Sequence, residues 1–149
     1  MIIKEQLYRK CNEALQERLK HIKKSILDLE EALQSETKSS AGDKHETGRA
    51  MIQIEREKAG QQLIGIQNNQ ELLQKIDCNA KHTNIALGSV VYTSQHNYFI
   101  SISEGKIKLE DVSFYAISPQ SPIAQLLLGK AEGDIISFRN NPFTVLKVI

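Results

Sequence analysis

Residues 15–33 read Leu15-Gln16-Glu17-Arg18-Leu19-Lys20-His21-Ile22-Lys23-Lys24-Ser25-Ile26-Leu27-Asp28-Leu29-Glu30-Glu31-Ala32-Leu33. Leu15, Leu19, Ile22, Ile26, Leu29 and Leu33 follow one another at steps of 4, 3, 4, 3 and 4, the seam spacing of a coiled coil. Neither Pro nor Gly interrupts residues 4 to 35. A helix over that span is about 45 to 50 Å long at roughly 1.5 Å per residue. Such a length is stable in water only when its apolar stripe is laid against a partner. The partner follows in the chain. Beyond Ser39-Ser40-Ala41-Gly42-Asp43, residues Ile52, Ala59, Ile66 and Leu73 recur at steps of seven, with Leu63 and Ile76 widening the same face. The expectation is an antiparallel coiled-coil hairpin over residues 1–78 with its tip at 39–50. Apolar stripes of this kind are packing seams and speak to architecture rather than to function. Residues 1–78 carry 13 basic and 13 acidic side chains, which suits solvated outer faces.

From about Ile85 the grammar changes. Val90-Val91-Tyr92, Tyr98-Phe99-Ile100 and Phe114-Tyr115-Ala116-Ile117 are β-branched and aromatic clusters separated by Gly, Asn and Ser turns, and they read as short strands. Ser121-Pro122-Ile123-Ala124-Gln125-Leu126-Leu127-Leu128-Gly129 has an N-cap Ser, Pro at the first helical position and Gly at the end, so it reads as one short helix. Ile135 to Arg139 and Phe143 to Val148 flank Asn140-Asn141-Pro142 as a terminal hairpin. The fold class is α+β: a helical hairpin, then a small β-rich domain with one short helix over residues 79–149.

Lys and Arg number 19 against 18 Asp and Glu, a formal charge of +1 that supplies no broad field for holding nucleic acid by counterion release. No run approaches the roughly 20 apolar residues of a membrane span, and Met-Ile-Ile-Lys-Glu-Gln lacks the apolar run of a signal peptide. A cytoplasmic protein with no membrane partner, monomeric in solution, is expected. Cys11 and Cys78 have neither CxxC spacing nor a His cluster for zinc and read as reduced thiols. If the chain folds back about position 44 or 45, the two fall roughly opposite each other. His21, His82 and His96 also lack metal-ligand spacing and read as structural.

At the expected tip, Asp43 with Glu46 three residues on forms a capping-box-like start to the second helix. His45 lies between them, and Lys44 and Arg49 add positive charge that reads first as solubilising. Two carboxylates do not build a full magnesium site. The ion does often take only one or two protein carboxylates and fill its other positions with water or phosphate. On these residues alone, Asp43 and Glu46 read first as helix-capping acids.

The segment from Ser121 to Asp134 resembles the C-terminal signature of the Gre transcript cleavage factors, SPIxxxLLGKxxGD, and Gly42-Asp43-Lys44-His45-Glu46 resembles their tip motif GDxxEN. Length and domain order match as well. The resemblance implies a transcription elongation factor whose coiled coil enters the secondary channel of RNA polymerase while a domain of FKBP-like fold docks at the rim. It implies that Asp43 and Glu46 act at the polymerase active centre, as catalytic and metal-holding carboxylates for a Mg2+ shared with the polymerase, so that the 3′ end of a backtracked transcript is cleaved. Nascent RNA would be met only inside that complex, and the factor would assist rather than be an enzyme itself. By the same resemblance, Ser121, Pro122, Ile123, Leu127, Gly129 and Lys130 carry polymerase docking. After Glu46 the chain has Thr47, Gly48, Arg49 and Ala50 where the family continues with Asn and an aromatic residue. A secondary-channel regulator that does not cleave is the alternative, and a coiled-coil adaptor a third. A prolyl isomerase would line its pocket with aromatics including Trp, whereas this chain has no Trp and only four Phe and four Tyr.

Overall fold

The computed structural model describes the backbone of residues 2–38 and 43–149 and the side chains of residues 2–36 and 47–149. Two long helices open the chain, α1 (Ile2–Lys38) and α2 (Asp43–Gln74). Six strands and one short helix follow: β1 (Val90–Thr93), β2 (Asn97–Ile100), β3 (Gly105–Leu109), β4 (Val112–Ile117), α3 (Pro122–Leu127), β5 (Ile135–Phe138) and β6 (Asn141–Val148). The helical hairpin and the small β domain are as the periodicities require. Packing divides the chain into two compact units, residues 15–69 and residues 1–14 with 70–149.

In the first unit the seam side chains behave as a two-helix pair allows. Leu15, Ile22, Ala59 and Ile66 are buried, whereas Leu19, Ile26, Leu29 and Leu33 are half-buried, because one neighbouring helix covers only part of each stripe. Arg56 Nη2 donates to Glu30 Oε1 across the pair at 3.3 Å. This contact folds the chain about position 43, one to two residues earlier than 44 or 45. In the second unit the offset is larger, three to four residues: Cys78 Sγ lies 4.0 Å from the Lys4 carbonyl, and Cys11 Sγ lies 3.8 Å from Ser101 Oγ. Cys11 and Cys78 therefore do not face each other, and neither forms a disulfide.

The second unit is built on one sheet of order β3-β4-β2-β1-β6-β5. All neighbours are antiparallel except β2 and β4, which run parallel because β3 intervenes between them in sequence and pairs outside β4. Side-chain alternation divides its residues between two faces. Val90, Phe99, Phe114, Ala116 and Ile107 lie on one face and are all buried. Val91, Tyr98, Ile100, Phe143, Val145 and Ile136 form the other core with Leu127 of α3 and Ile85.

The terminal hairpin turns at Arg139-Asn140, not at Asn140-Asn141-Pro142. Arg139 (φ 51) and Asn140 (φ 65) both take positive φ, as a two-residue loop that matches strand twist demands. Pro142 is thereby drawn into β6 opposite Ser137. Its missing N–H is tolerated because β1 pairs with β6 only from Val145 onward.

The segment from α2 to β1 is tied down rather than slack. Lys4 is 1% exposed and its Nζ donates to the Ala80 carbonyl at 2.8 Å. Gly88 adopts φ +91, and a Cβ there would sit 3.1 Å from Ile76 Cγ2, so both conformation and space call for glycine. Among the described residues no helix is long and apolar enough to cross a membrane.

Candidate functional site

α2 begins at Asp43, so Asp43 and Glu46 both fall in its first turn. The free N–H groups of a helix start carry partial positive charge, and acids are favoured there. The side chains of Asp43, Lys44, His45 and Glu46 lie outside the described residues, as do residues 39–42 entirely. Next to this turn the structure adds an acid that no sequence motif marks. The half-buried Glu36 near the end of α1 faces Gly48 of α2, with its carboxyl group 3.3 to 3.4 Å from where a Cβ on Gly48 would stand. Gly48 thus leaves room for a carboxylate close to the start of α2. Helix periodicity alone could not identify Glu36, because only the register of the two helices brings 36 and 48 together. Among the described residues, no group of three or more His, Cys, Asp or Glu side chains is arranged to hold a metal ion. The chemistry of the Asp43 and Glu46 donor set suits a hard cation completed by oxygens from elsewhere.

The second candidate surface surrounds α3. Ser121 (φ −65, ψ 151) caps the helix, accepting from the Ala124 N–H at 3.3 Å while its hydroxyl donates to the Ser118 carbonyl at 2.8 Å, and Pro122 occupies the first turn. Gly129 follows at φ +83. Its N–H donates to the Ile85 carbonyl and the Ile85 N–H returns to the Lys130 carbonyl, both at 2.8 Å. Asn84 Nδ2 donates to the Gly129 carbonyl at 3.0 Å. Ala131 N–H donates to Asp134 Oδ2 at 2.8 Å, which closes the turn after Lys130.

Of the six residues expected to dock a partner, Pro122, Gly129 and Lys130 are exposed, and Ser121 and Ile123 are half-buried. Leu127 is fully buried in the core, so its part is to hold α3 on the sheet. Leu126, one turn on from Pro122 and 39% exposed, is an apolar surface residue the sequence did not single out.

A third cluster lies between α1 and β1. Burial, followed by the nearby Lys4 charge, pushes the His82 imidazole below its ordinary 6.5. Ser89 is fully buried; its Oγ accepts the Ala86 N–H at 2.9 Å and also contacts His82 Nδ1. Its own hydrogen is therefore free to donate to Nδ1, an arrangement that requires neutral imidazole. Burial also pushes the Lys4 ammonium down and the Cys78 thiol up from their ordinary values. Because the His82 pKa is lowered on folding, the unfolded chain binds the extra proton first. Stability is then expected to fall as pH drops below about 6.5 toward the folded-state value. In His82→Gln that acid-side slope should flatten, a difference readable in urea titrations at pH 7.5, 6 and 5.

No protein-family model matches the chain, and no curated protein matches it. Among solved structures, the chain is similar to GreA factor homolog 1 (Gfh1) of Thermus thermophilus, at 20% identity over 92% of this chain and 93% of that one, with a TM-score of 0.38. It is also similar to Gfh1 of Thermus aquaticus, at 19% identity over 92% of each chain and a TM-score of 0.35. A further structure, of the transcription factor Gfh1, matches at 19% identity over 91% of each chain, with a TM-score of 0.36. The structural neighbours of this chain are thus GreA-factor homologues, alike in sequence only at the 19–20% level over more than nine-tenths of both lengths.

Proposed function

We propose that this protein is a transcription factor that binds RNA polymerase through its secondary channel and stimulates cleavage of the 3′ end of backtracked transcripts. The observation that carries this reading is the position of Asp43 and Glu46. They stand in the first turn of α2, immediately after the connection between two long paired helices, where a slender hairpin would deliver them deepest into a narrow channel. Support also comes from the sequence likeness of Ser121–Asp134, whose exposed members Pro122, Gly129 and Lys130 offer a docking surface on the other unit.

In this mechanism Asp43 and Glu46 would hold, with oxygens from the polymerase, a shared Mg2+ that when bound would supply electrostatic stabilisation at the scissile phosphate. Acidic residues are favoured at the start of a helix, and Asp43 and Glu46 stand in the first turn of α2. Glu36, facing Gly48, adds negative charge close to the start of α2. The factor alone binds the ion weakly and has no hydrolytic activity of its own.

The test is RNA cleavage in a stalled, backtracked elongation complex with the cognate polymerase. The native protein is expected to stimulate cleavage, and Asp43→Asn/Glu46→Gln to lose it by roughly a hundredfold, because metal stabilisation of the transition state amounts to several kcal/mol. Polymerase binding should persist in the variant. Failure to bind the polymerase would overturn the proposal. Binding without stimulation would leave the second reading, a regulator that occupies the channel without cleaving, which Thr47-Gly48 in place of Asn and a following aromatic favours.

A further inference from the structure

The outer face of α2 carries a second seam. Ile54, Glu57, Gln61 and Ile64 follow at steps of 3, 4 and 3, on the side of the helix away from the buried Ala59 and Ile66. Ile54 is 53% exposed and Ile64 is 50% exposed, both on the face of α2 opposite the stripe that packs on α1. With Lys58 and Gly60 these four line a shallow groove. Their order is palindromic, with isoleucines at the ends and a carboxylate and an amide between them.

We propose that this seam pairs with the same seam of a second copy of the chain, the two α2 helices running antiparallel about a two-fold axis level with Ala59. In that register Ile54 meets Ile64 of the other copy, and Glu57 meets Gln61, each contact occurring twice, as an isologous interface requires. Glu57 accepts from the amide of the opposing Gln61, a charge-assisted bond that fixes register in the way a single polar pair does in a coiled coil. The neighbours do not compete for Glu57, since Arg56 pairs with Glu30 and Lys58 with Glu55. Gly60, beside the seam, lets the helices approach closely. A parallel arrangement would set Glu57 against Glu57 and is disfavoured by that repulsion. Three turns of helix give an interface at the low end of known sizes, so the dimer is weak and forms at high protein concentration, on the order of 100 µM.

Sedimentation equilibrium of the full chain from about 10 µM to 1 mM tests this. The native mass should rise from 16.8 kDa toward twice that value. Gln61→Lys, which sets an ammonium opposite Glu57 of the other copy, should lower the dissociation constant by roughly threefold or more at low salt, whereas Gln61→Glu and Ile54→Lys should keep the chain monomeric. All three positions are exposed, and an unchanged helical circular dichroism spectrum verifies that each variant is folded. A native mass that stays at 16.8 kDa throughout would overturn the proposal. So would a dimer that survives Ile54→Lys, or one that Gln61→Lys weakens.

Discussion

Replacing Phe99 with alanine is expected to cost about 3–5 kcal/mol of folding free energy, measured as a shift of the urea midpoint at unchanged slope. Phe99 is fully buried on β2, a strand with paired neighbours on both sides, Val90 of β1 and Ala116 of β4 standing directly across from it. Its sheet face is shared with Phe114 and Ile107, themselves at most 7% exposed. A truncation cost grows with the cavity that the surroundings fail to close. Here closure is hindered, because the flanking strands are held at their hydrogen-bonded spacing and cannot move in. Ala116 opposite is too small to fill the space. Against a typical total of roughly 5–15 kcal/mol, the loss would leave the sheet unit marginal. A measured cost below about 1 kcal/mol would show that this face relaxes freely and is not the rigid core its burial implies. Leu126→Ala, at an exposed position on α3, is the matched control and should cost little.

Phe99 is also the kind of residue the sequence displays openly. An aromatic between Tyr98 and Ile100, bounded by polar turns, reads as a central strand, and the helical seams from Leu15 to Leu33 and from Ile52 to Leu73 read as openly as a hairpin. What local pattern hides is anything fixed by an edge or by a register. β3 went unread because Gly105-Lys106-Ile107-Lys108-Leu109 has the exposed lysines of an edge strand, which look like loop composition until the ladder to β4 is seen. The β5–β6 turn was displaced because Pro142 resembles a turn residue, although Arg139 and Asn140 supply the left-handed conformations.

The candidate site divides along the same line. Asp43 and Glu46 are legible as an acidic pair at a helix start, and Ser121, Pro122 and Gly129 as caps, since each is defined by its immediate neighbours. Glu36 beside Gly48 depends on the register between two successive helices, and a fold axis misplaced by two or three residues is enough to miss it. A larger displacement, of three to four residues, separates Cys11 from Cys78, whose thiol meets the Lys4 carbonyl instead.

Lys4 itself is the residue whose composition misleads most, and its variants should separate packing from charge. Lysines are rarely fully buried, yet Lys4 is 1% exposed, with Nζ donating to the Ala80 carbonyl and Asp77 close enough to favour its charge. Lys4→Ala removes a buried four-carbon stem and leaves the Ala80 carbonyl without its donor. A loss of about 3–5 kcal/mol is expected, combining the cavity and the unsatisfied acceptor. Lys4→Met keeps most of the stem and removes the ammonium that burial penalises, but it too leaves the Ala80 carbonyl without its donor, so it should cost about 1–3 kcal/mol, less than Lys4→Ala. The pH dependence gives the sign independently. Burial lowers the Lys4 pKa in the folded state, so the unfolded chain holds the proton longer, and this residue's penalty on native stability shrinks as pH rises toward 10.5. Cys78, whose pKa is raised, acts in the opposite direction above 9.0 and feels the Lys4 charge, so Lys4→Met and its reference chain are both compared with Cys78→Ser in place. Subtracting the urea stability of Lys4→Met from that of the reference chain at pH 7, 8.5 and 10 therefore isolates the ammonium. The reference chain should gain on the variant at each step upward, and a difference independent of pH would mean that the Lys4 ammonium is as well solvated in the fold as in water.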